Sequence, residues 1–387
     1  MMDAMEKMED HVREKVFIVA EIGKNFIRTE AERSVGEYLA DAQELVRRAA
    51  AAGADAVKFQ THHAEDEVCN VEFDSPHFKG TSRYEWVSRN ERATPVEGFW
   101  KPLKAYCDDI GIIFFSTPMS RGAAIKLQAL DVPFWKVASS DILDFVMLDF
   151  MALTGKTIMI PSGMSTIEEL DCCLDFLRRR NAPFIVMHAI SRYPYPAEDS
   201  NLLTIRFFQK RYPGVLIGFS QNSPWVDPAV AATWLGARVV EQHLTLDRAD
   251  WGPDHKVSMT PEEFTVMATR IRMAEKEPRM EGLVLDDPAM QKYLGREEKF
   301  LQDGEAPFRG LFRKSLVASR DLAADDVIMP DTLYAMRPQA LIGGIPSERY
   351  EAVLGKRVGI PLKKYDPIPR DLADGAPSSL TMWWETR

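Results

Sequence analysis

Residues 184–244 contain, in order, FIVMHAI (184–190), NLLTIRFFQKR (201–211), LIGFS (216–220), PAVAATWL (228–235) and VVEQHL (239–244). Three of these runs are short and apolar and bring polar side chains to their ends. The two between them carry apolar residues at helical spacing. Continuous apolar character, without strict alternation, suits strands buried on both faces. Working outward, the same texture recurs at Val16–Ile22, Ala56–Gln60, Ile112–Thr117, Phe134–Ser139 and Thr157–Ser162, which makes eight runs. Helical patterns separate them. In Val35–Ala49, residues Leu39, Ala42, Leu45 and Val46 form one apolar stripe, and Gly53 ends it. Further helices are expected at Gly98–Ile110, Arg121–Leu130, Met147–Thr154, Thr166–Arg179 and Pro261–Ala274, with Thr166 and Glu169 as a capping box. Eight β–α units in about 260 residues predict an α/β fold, a (β/α)8 TIM barrel. A doubly wound open sheet is the competing arrangement.

The expected organisation is an extension over 1–15, the barrel over 16–280, a linker over 281–306, a small, mostly β domain over 307–370 and a tail over 371–387. The linker shows no periodic element. One connection is too long for an ordinary βα loop: His62 to Pro95, which carries Phe73, Phe78, Tyr84 and Trp86 among charges. Its aromatic content reads as an arm over the active face rather than a disordered insertion.

The 387 residues are 45% hydrophobic and 27% charged, the balance of a soluble globular protein. A formal charge of −10 argues against a uniformly basic nucleic-acid binder. No apolar run approaches the roughly 18 residues needed to cross a bilayer, so no membrane association is expected. Met1–Lys15 alternates charges and lacks the apolar core of a secretory signal. Cys69, Cys107, Cys172 and Cys173 show no CxxC spacing, which suits free thiols in a reducing cytoplasm.

Barrel chemistry sits where the strands end. The residues there are Glu21 and Asn25; Lys58 and Gln60; Ser116 and Thr117; Lys136, Ser139 and Asp141; Ser162; His188 and Ser191; Ser220 to Asn222; and Glu241 with His243. Asp254 and His255 follow in a Gly-Pro loop. Two lysines beside several hydroxyls suit a phosphate or carboxylate, because ammonium supplies charge and hydroxyls supply donors. Each residue also has a plainer reading. The lysines could be ion-paired, His188 a loop cap, His243 a hydrogen-bonded core histidine, and Asp254 with His255 an ordinary turn.

The strings AEIGKN (20–25), KFQT (58–61), FSTP (115–118), KVASSD (136–141), PSGMS (161–165), HAISRYP (188–194), GFS (218–220), EQHLTLDR (241–248) and GPDH (252–255) resemble, in order, the sialic acid synthase family. FRKSLVA (312–318), MRP (336–338) and VLGKRV (353–358) resemble the antifreeze-like domain that follows the barrel there. The resemblance implies condensation of phosphoenolpyruvate with an open-chain N-acyl sugar aldehyde, giving a nine-carbon 2-keto acid and phosphate. It assigns catalytic positions to Glu21, Lys58, Gln60, Asp141 and Asp254. It assigns substrate contacts to Asn25, Thr117, Lys136, Ser139, Ser162, Ser191, Tyr193, Ser220 and His255. Arg313 or Lys314 would reach over the barrel of a partner in a homodimer. A divalent metal, Mn²⁺ or Mg²⁺, would polarise the aldehyde. Three departures stand out: Phe26 follows Asn25 where the family has His, Pro161 replaces a Ser, and Asn222 replaces one of two metal histidines, leaving His243. These losses motivate two other readings, a Schiff-base aldolase or lyase using Lys58 or Lys136, and a phosphoanion-binding protein without catalysis.

Overall fold

The computed structural model describes residues 12, 15–71, 82–276 and 281–373. Most of the 1–15 extension, Phe73, Phe78 and most of the 371–387 tail lie outside the described residues. Eight parallel strands form one sheet: β1 (Phe17–Gly23), β2 (Ala56–Thr61), β3 (Ile113–Pro118), β4 (Trp135–Lys136), β5 (Ile158–Pro161), β6 (Phe184–Ala189), β7 (Ile217–Gln221) and β8 (Val239–His243). Their order is β3-β2-β1-β8-β7-β6-β5-β4. β1 and β8 pair from Phe17↔Val239 to Glu21↔His243, which joins the chain's first and last barrel strands. The two ends of the order, β3 and β4, are neighbours, so the sheet is a near-closed barrel rather than an open one. All seven residues of β1 are buried, as double-sided coverage by helices requires.

The eight apolar runs and the strands coincide, with one shortening. Phe134–Ser139 yields only two strand residues, because the chain turns into a 3-10 helix at Ser139–Asp141. The helices start where their caps predict. Ser34, Thr166 and Thr260 each accept from the backbone three residues on, with Glu37, Glu169 and Glu263 closing capping boxes. Each such cap contributes about 1 kcal/mol.

Residues 281–306 are not without elements. They carry the helices Glu281–Asp286 and Pro288–Leu294. Met290, Tyr293 and Leu294 are buried, and the Tyr293 and Leu294 carbonyls accept from Leu202 and Leu203 at 3.0 and 2.9 Å. Apolar stretches this short inside a charged segment give no periodic signal. Beyond them, β9 (Ser315–Ala318) and β10 (Leu333–Met336) pair antiparallel. Isolated bridges such as Leu322↔Leu362 and Val327↔Arg357 complete a small β domain.

The small domain packs against the barrel of its own chain. Ser347 Oγ donates to the Leu143 carbonyl at 2.7 Å, Lys314 to Asp144 at 2.7 Å, and Arg180 pairs with Glu351 at 3.0 Å. The long connection is partly ordered as the helices Ala64–Glu67 and Arg83–Ala93. Val68 bridges to Arg337, tying this arm to the small domain.

Candidate active site

A cavity of about 360 Å³ opens at the C-terminal ends of the strands. Its floor is an ion cluster. Lys58 Nζ lies 2.6 Å from Glu21 Oε2 and 3.5 Å from Glu241 Oε1, and donates to Thr117 Oγ1 at 2.9 Å. Lys136 Nζ lies 3.9 Å from the same Glu241 oxygen and donates to the Val137 carbonyl. Ser220 donates to Glu241 at 3.1 Å. All these side chains are buried. Burial alone would depress Lys58, but Glu21 and Glu241 outweigh it and raise its pKa. Lys136 has only the more distant Glu241; burial, with Lys58 adding to it, pushes its ammonium down to about 8. Burial also raises the Glu21 carboxyl, against the pull of Lys58.

Two glycines make close approach possible. A Cβ on Gly163 would stand 2.3 Å from Ser191 Oγ and 2.8 Å from Ser139 Oγ. Its absence lets the two hydroxyls converge, and Ser191 Oγ is buried without a partner. A Cβ on Gly23 would meet Glu21 Oε1 at 3.0 Å, Gln60 Nε2 at 3.1 Å and Asp254 Oδ2 at 3.5 Å. Gly23 also adopts φ +55°, a conformation that favours glycine. Gln60 donates to Glu21 Oε1 at 2.9 Å.

The structure thus brings together around one cavity Glu21, Lys58, Gln60, Thr117, Lys136, Ser139, Ser191, Tyr193, Ser220, Asn222, His243 and Asp254. Seven of the residues considered stand elsewhere. Asn25 donates to the Leu244 carbonyl and Ser258, bracing the β1 and β8 ends. Ser162 Oγ accepts from Ala189 N at 3.2 Å inside the sheet. His255 is turned into its loop, 2.7 Å from Thr245 Oγ1. Arg313 donates to the Met164 carbonyl and pairs with Glu169 at 3.1 Å, and Lys314 is bound to Met119 and Asp144. Asp141 faces the small domain, where it accepts from Arg337 at 2.5 Å. His188 is a core histidine, held on the Ser200 carbonyl at 2.8 Å.

Sequence reasoning expects the arm over the active face but names none of its side chains as site residues, and it passes over other parts of the wall. Lys24 follows Gly23; His62, Arg83 and Trp86 come from the arm; Phe308, Phe312 and Arg337 come from the C-terminal part. Arg337 stands inside the quoted MRP string, and Arg83 immediately precedes the quoted Tyr84. Neither pattern announces which face it meets.

For a divalent cation the donors are few. Among the described residues no three His, Cys, Asp or Glu side chains converge to hold one. His243 Nδ1 is buried without a partner, but Asn222 commits its amide nitrogen to the Ile190 carbonyl at 2.6 Å. One imidazole and one amide oxygen do not make a side-chain metal site. The described residues do not fit a protein-held Mn²⁺ or Mg²⁺.

The NeuB family pattern matches residues 45–280, most of the barrel. The chain belongs to the NeuB family. It is 30% identical to N-acetylneuraminate-9-phosphate synthase of Mus musculus, over 91% of each chain. It is 28% identical to N,N'-diacetyllegionaminic acid synthase of Campylobacter jejuni, over 88% of this chain and 95% of that one. The crystal structure of spore coat polysaccharide biosynthesis protein spsE from Bacillus subtilis superposes with a TM-score of 0.74, at 26% identity, covering 94% of this chain and 96% of that one. This NeuB chain is accordingly an enzyme, a transferase that forms carbon–carbon bonds.

Proposed function

We propose that this chain joins phosphoenolpyruvate to an open-chain N-acyl sugar aldehyde, giving a nonulosonic acid-type 2-keto acid and inorganic phosphate. One observation carries the reading: the buried Lys58 and Lys136 ammonium groups flank one carboxylate, Glu241, beside the Ser139 and Ser191 hydroxyls. Two cations and convergent hydroxyls suit the phosphate and carboxylate of phosphoenolpyruvate. The names of the relatives support a nonulosonic product.

The enol carbon attacks the aldehyde carbon, and the aldehyde oxygen takes a proton. Water adds, with loss of a proton, to the cationic carbon that bears the phosphate oxygen. The carbon–oxygen bond to phosphate then breaks, and the added hydroxyl loses its proton to become the keto group. Glu21 stands where these protons move. Burial raises its pKa, and Gln60 fixes its orientation. Lys58 and Lys136 hold the anion, and Asp254 and Tyr193 stand on the sugar side. A homodimer and a cytoplasmic setting belong to the same reading. No helix among the described residues is long and apolar enough to cross a membrane.

Incubation with phosphoenolpyruvate and a set of N-acyl aldoses is expected to release phosphate with a 2-keto acid in equal amounts. No release with any aldehyde, with or without Mn²⁺, while phosphoenolpyruvate still binds, would leave a binding protein instead. The pKa of about 8 at Lys136 favours a second reading, an amine nucleophile. Borohydride trapping with pyruvate separates the two: an adduct on Lys136 supports the Schiff base, and an unmodified lysine removes it.

A further inference from the structure

Glu305 stands between the helix Pro288–Leu294 and β9 and is 1% exposed. Its carboxylate meets three backbone N–H groups. Oε1 accepts from Met164 at 2.8 Å and from Ser191 at 2.7 Å, and Oε2 accepts from Gln302 at 3.2 Å. One oxygen therefore joins two barrel loops distant in sequence, the loop after β5 and the loop after β6. Met164 and Ser191 both line the cavity, whereas Glu305 is not part of its wall.

The carboxylate is itself held in place. The Glu305 N–H donates to the Gln302 carbonyl at 2.9 Å, and Gln302 Nε2 donates to the Asp199 carbonyl, in the connection after β6, at 2.8 Å. Arg313 donates to the Met164 carbonyl at 2.8 Å. The N–H and the carbonyl of Met164 are thus both bound by residues beyond the barrel. Met164 has φ +56°, uncommon for a residue other than glycine, and such a backbone persists where its surroundings fix it.

These contacts surround a hydroxyl without a partner. Ser191 Oγ is buried and unbonded. The Ser191 N–H is committed to Glu305, so the donor that this residue keeps for a ligand is its hydroxyl. A buried hydroxyl left unpaired is unfavourable, and an anion relieves it. Gly163, next to Met164, lies beside both Ser191 Oγ and Ser139 Oγ, and a Cβ there would meet them at 2.3 and 2.8 Å. A shift of this loop would change how the two hydroxyls converge.

We propose that Glu305 is a positioning residue for the phosphoenolpyruvate subsite: by binding the Met164 and Ser191 N–H groups together, it sets the Ser191 hydroxyl against the bound anion. The inference rests on the condensing reading for the identity of that anion. Glu305 acts through Ser191 and touches no substrate.

The test is calorimetric binding of phosphoenolpyruvate, which needs no turnover. Glu305→Ala is expected to weaken it about tenfold, the size of one hydrogen bond to a charged group, and Ser191→Ala by a similar factor. In the Ser191→Ala background, Glu305→Ala should add no more than about twofold, because the two residues act on one contact. Glu305→Gln keeps a carbonyl oxygen for both barrel N–H groups and should stay within about threefold of wild type. If Glu305→Ala does not fold, Glu305→Asp, one methylene shorter, is read in the same way. In turnover, the variants should raise KM for phosphoenolpyruvate and leave KM for the aldehyde within about twofold. Unchanged phosphoenolpyruvate binding in Glu305→Ala overturns the proposal and leaves the condensing reading intact. An equal loss with and without the Ser191 hydroxyl also overturns it. If no aldehyde reacts but the binding losses are coupled as expected, the condensing reading fails and the positioning role is supported.

Discussion

Arg337 of the small domain donates to Asp141 at 2.5 Å, and neither residue is more than 1% exposed. Lys314 approaches the same carboxylate at 3.5 Å and Asp144 at 2.7 Å. The ion cluster thus joins the 3-10 turn after β4 to the domain that closes one side of the cavity. Removing one partner of a buried pair leaves an uncompensated charge. Asp141→Asn is therefore expected to destabilise the chain by about 3–5 kcal/mol. Urea unfolding checks it, and the Asp141→Asn, Arg337→Met cycle should show a coupling well above 1 kcal/mol. Additive single effects would dissociate the two residues.

On the cavity floor, Lys58 offsets two carboxylates, Glu21 and Glu241, at 2.6 and 3.5 Å. Lys58→Met removes that charge from a site whose substrate is anionic. Phosphoenolpyruvate affinity is expected to fall by at least about a hundredfold, as for a lost buried charge contact. Lys136→Met, with its weaker 3.9 Å contact to Glu241, should cost affinity with less effect on folding. Direct binding and thermal melts, measured on both variants, separate the two losses.

The barrel was legible in the sequence because its strands are buried on both faces, so apolar continuity marked all eight. The residues at their tips followed from the fold, and Glu21, Lys58, Lys136 and His243 stand in the cavity wall as that logic requires. What the sequence hid was contact between distant segments. Arg313 and Lys314 looked like the reaching cations, but Glu169 and Asp144 hold both against the barrel, and Arg337 reaches the cavity instead. Asp141 occupies a strand-end position, yet the early turn after Lys136 rotates it toward Arg337. Neither outcome leaves a trace in local periodicity.

Acid stability has a separate origin. Burial holds both His62 and His188 at a pKa of about 4, well below the ordinary histidine value of 6.5. In the unfolded chain they protonate once pH falls through 6.5, while the folded state resists until about 4. Stability should therefore drop across that window, by up to about 3 kcal/mol for each ring. Melting temperatures from pH 7 to pH 4 test the slope. His188, on the Ser200 carbonyl and stacked on Phe219, lies away from the cavity. His188→Gln should flatten the slope, even at the expense of stability near pH 7.

The last prediction concerns the cation. His243 faces the cavity with Nδ1 unpartnered, and Asn222, also in the wall, gives its amide nitrogen to the Ile190 carbonyl at 2.6 Å. An imidazole at 222 could keep that hydrogen bond through one nitrogen and offer the other to an ion, as metal-ligating histidines ordinarily do. Asn222→His is therefore expected to tighten Mn²⁺ binding by about tenfold or more, read by electron paramagnetic resonance titration without any substrate. The variant should also show steeper loss of activity in chelator than the parent. If Mn²⁺ binds the parent as tightly as Asn222→His, the ion is held by groups other than this pair, and the Asn222 substitution does not account for the scarcity of donors.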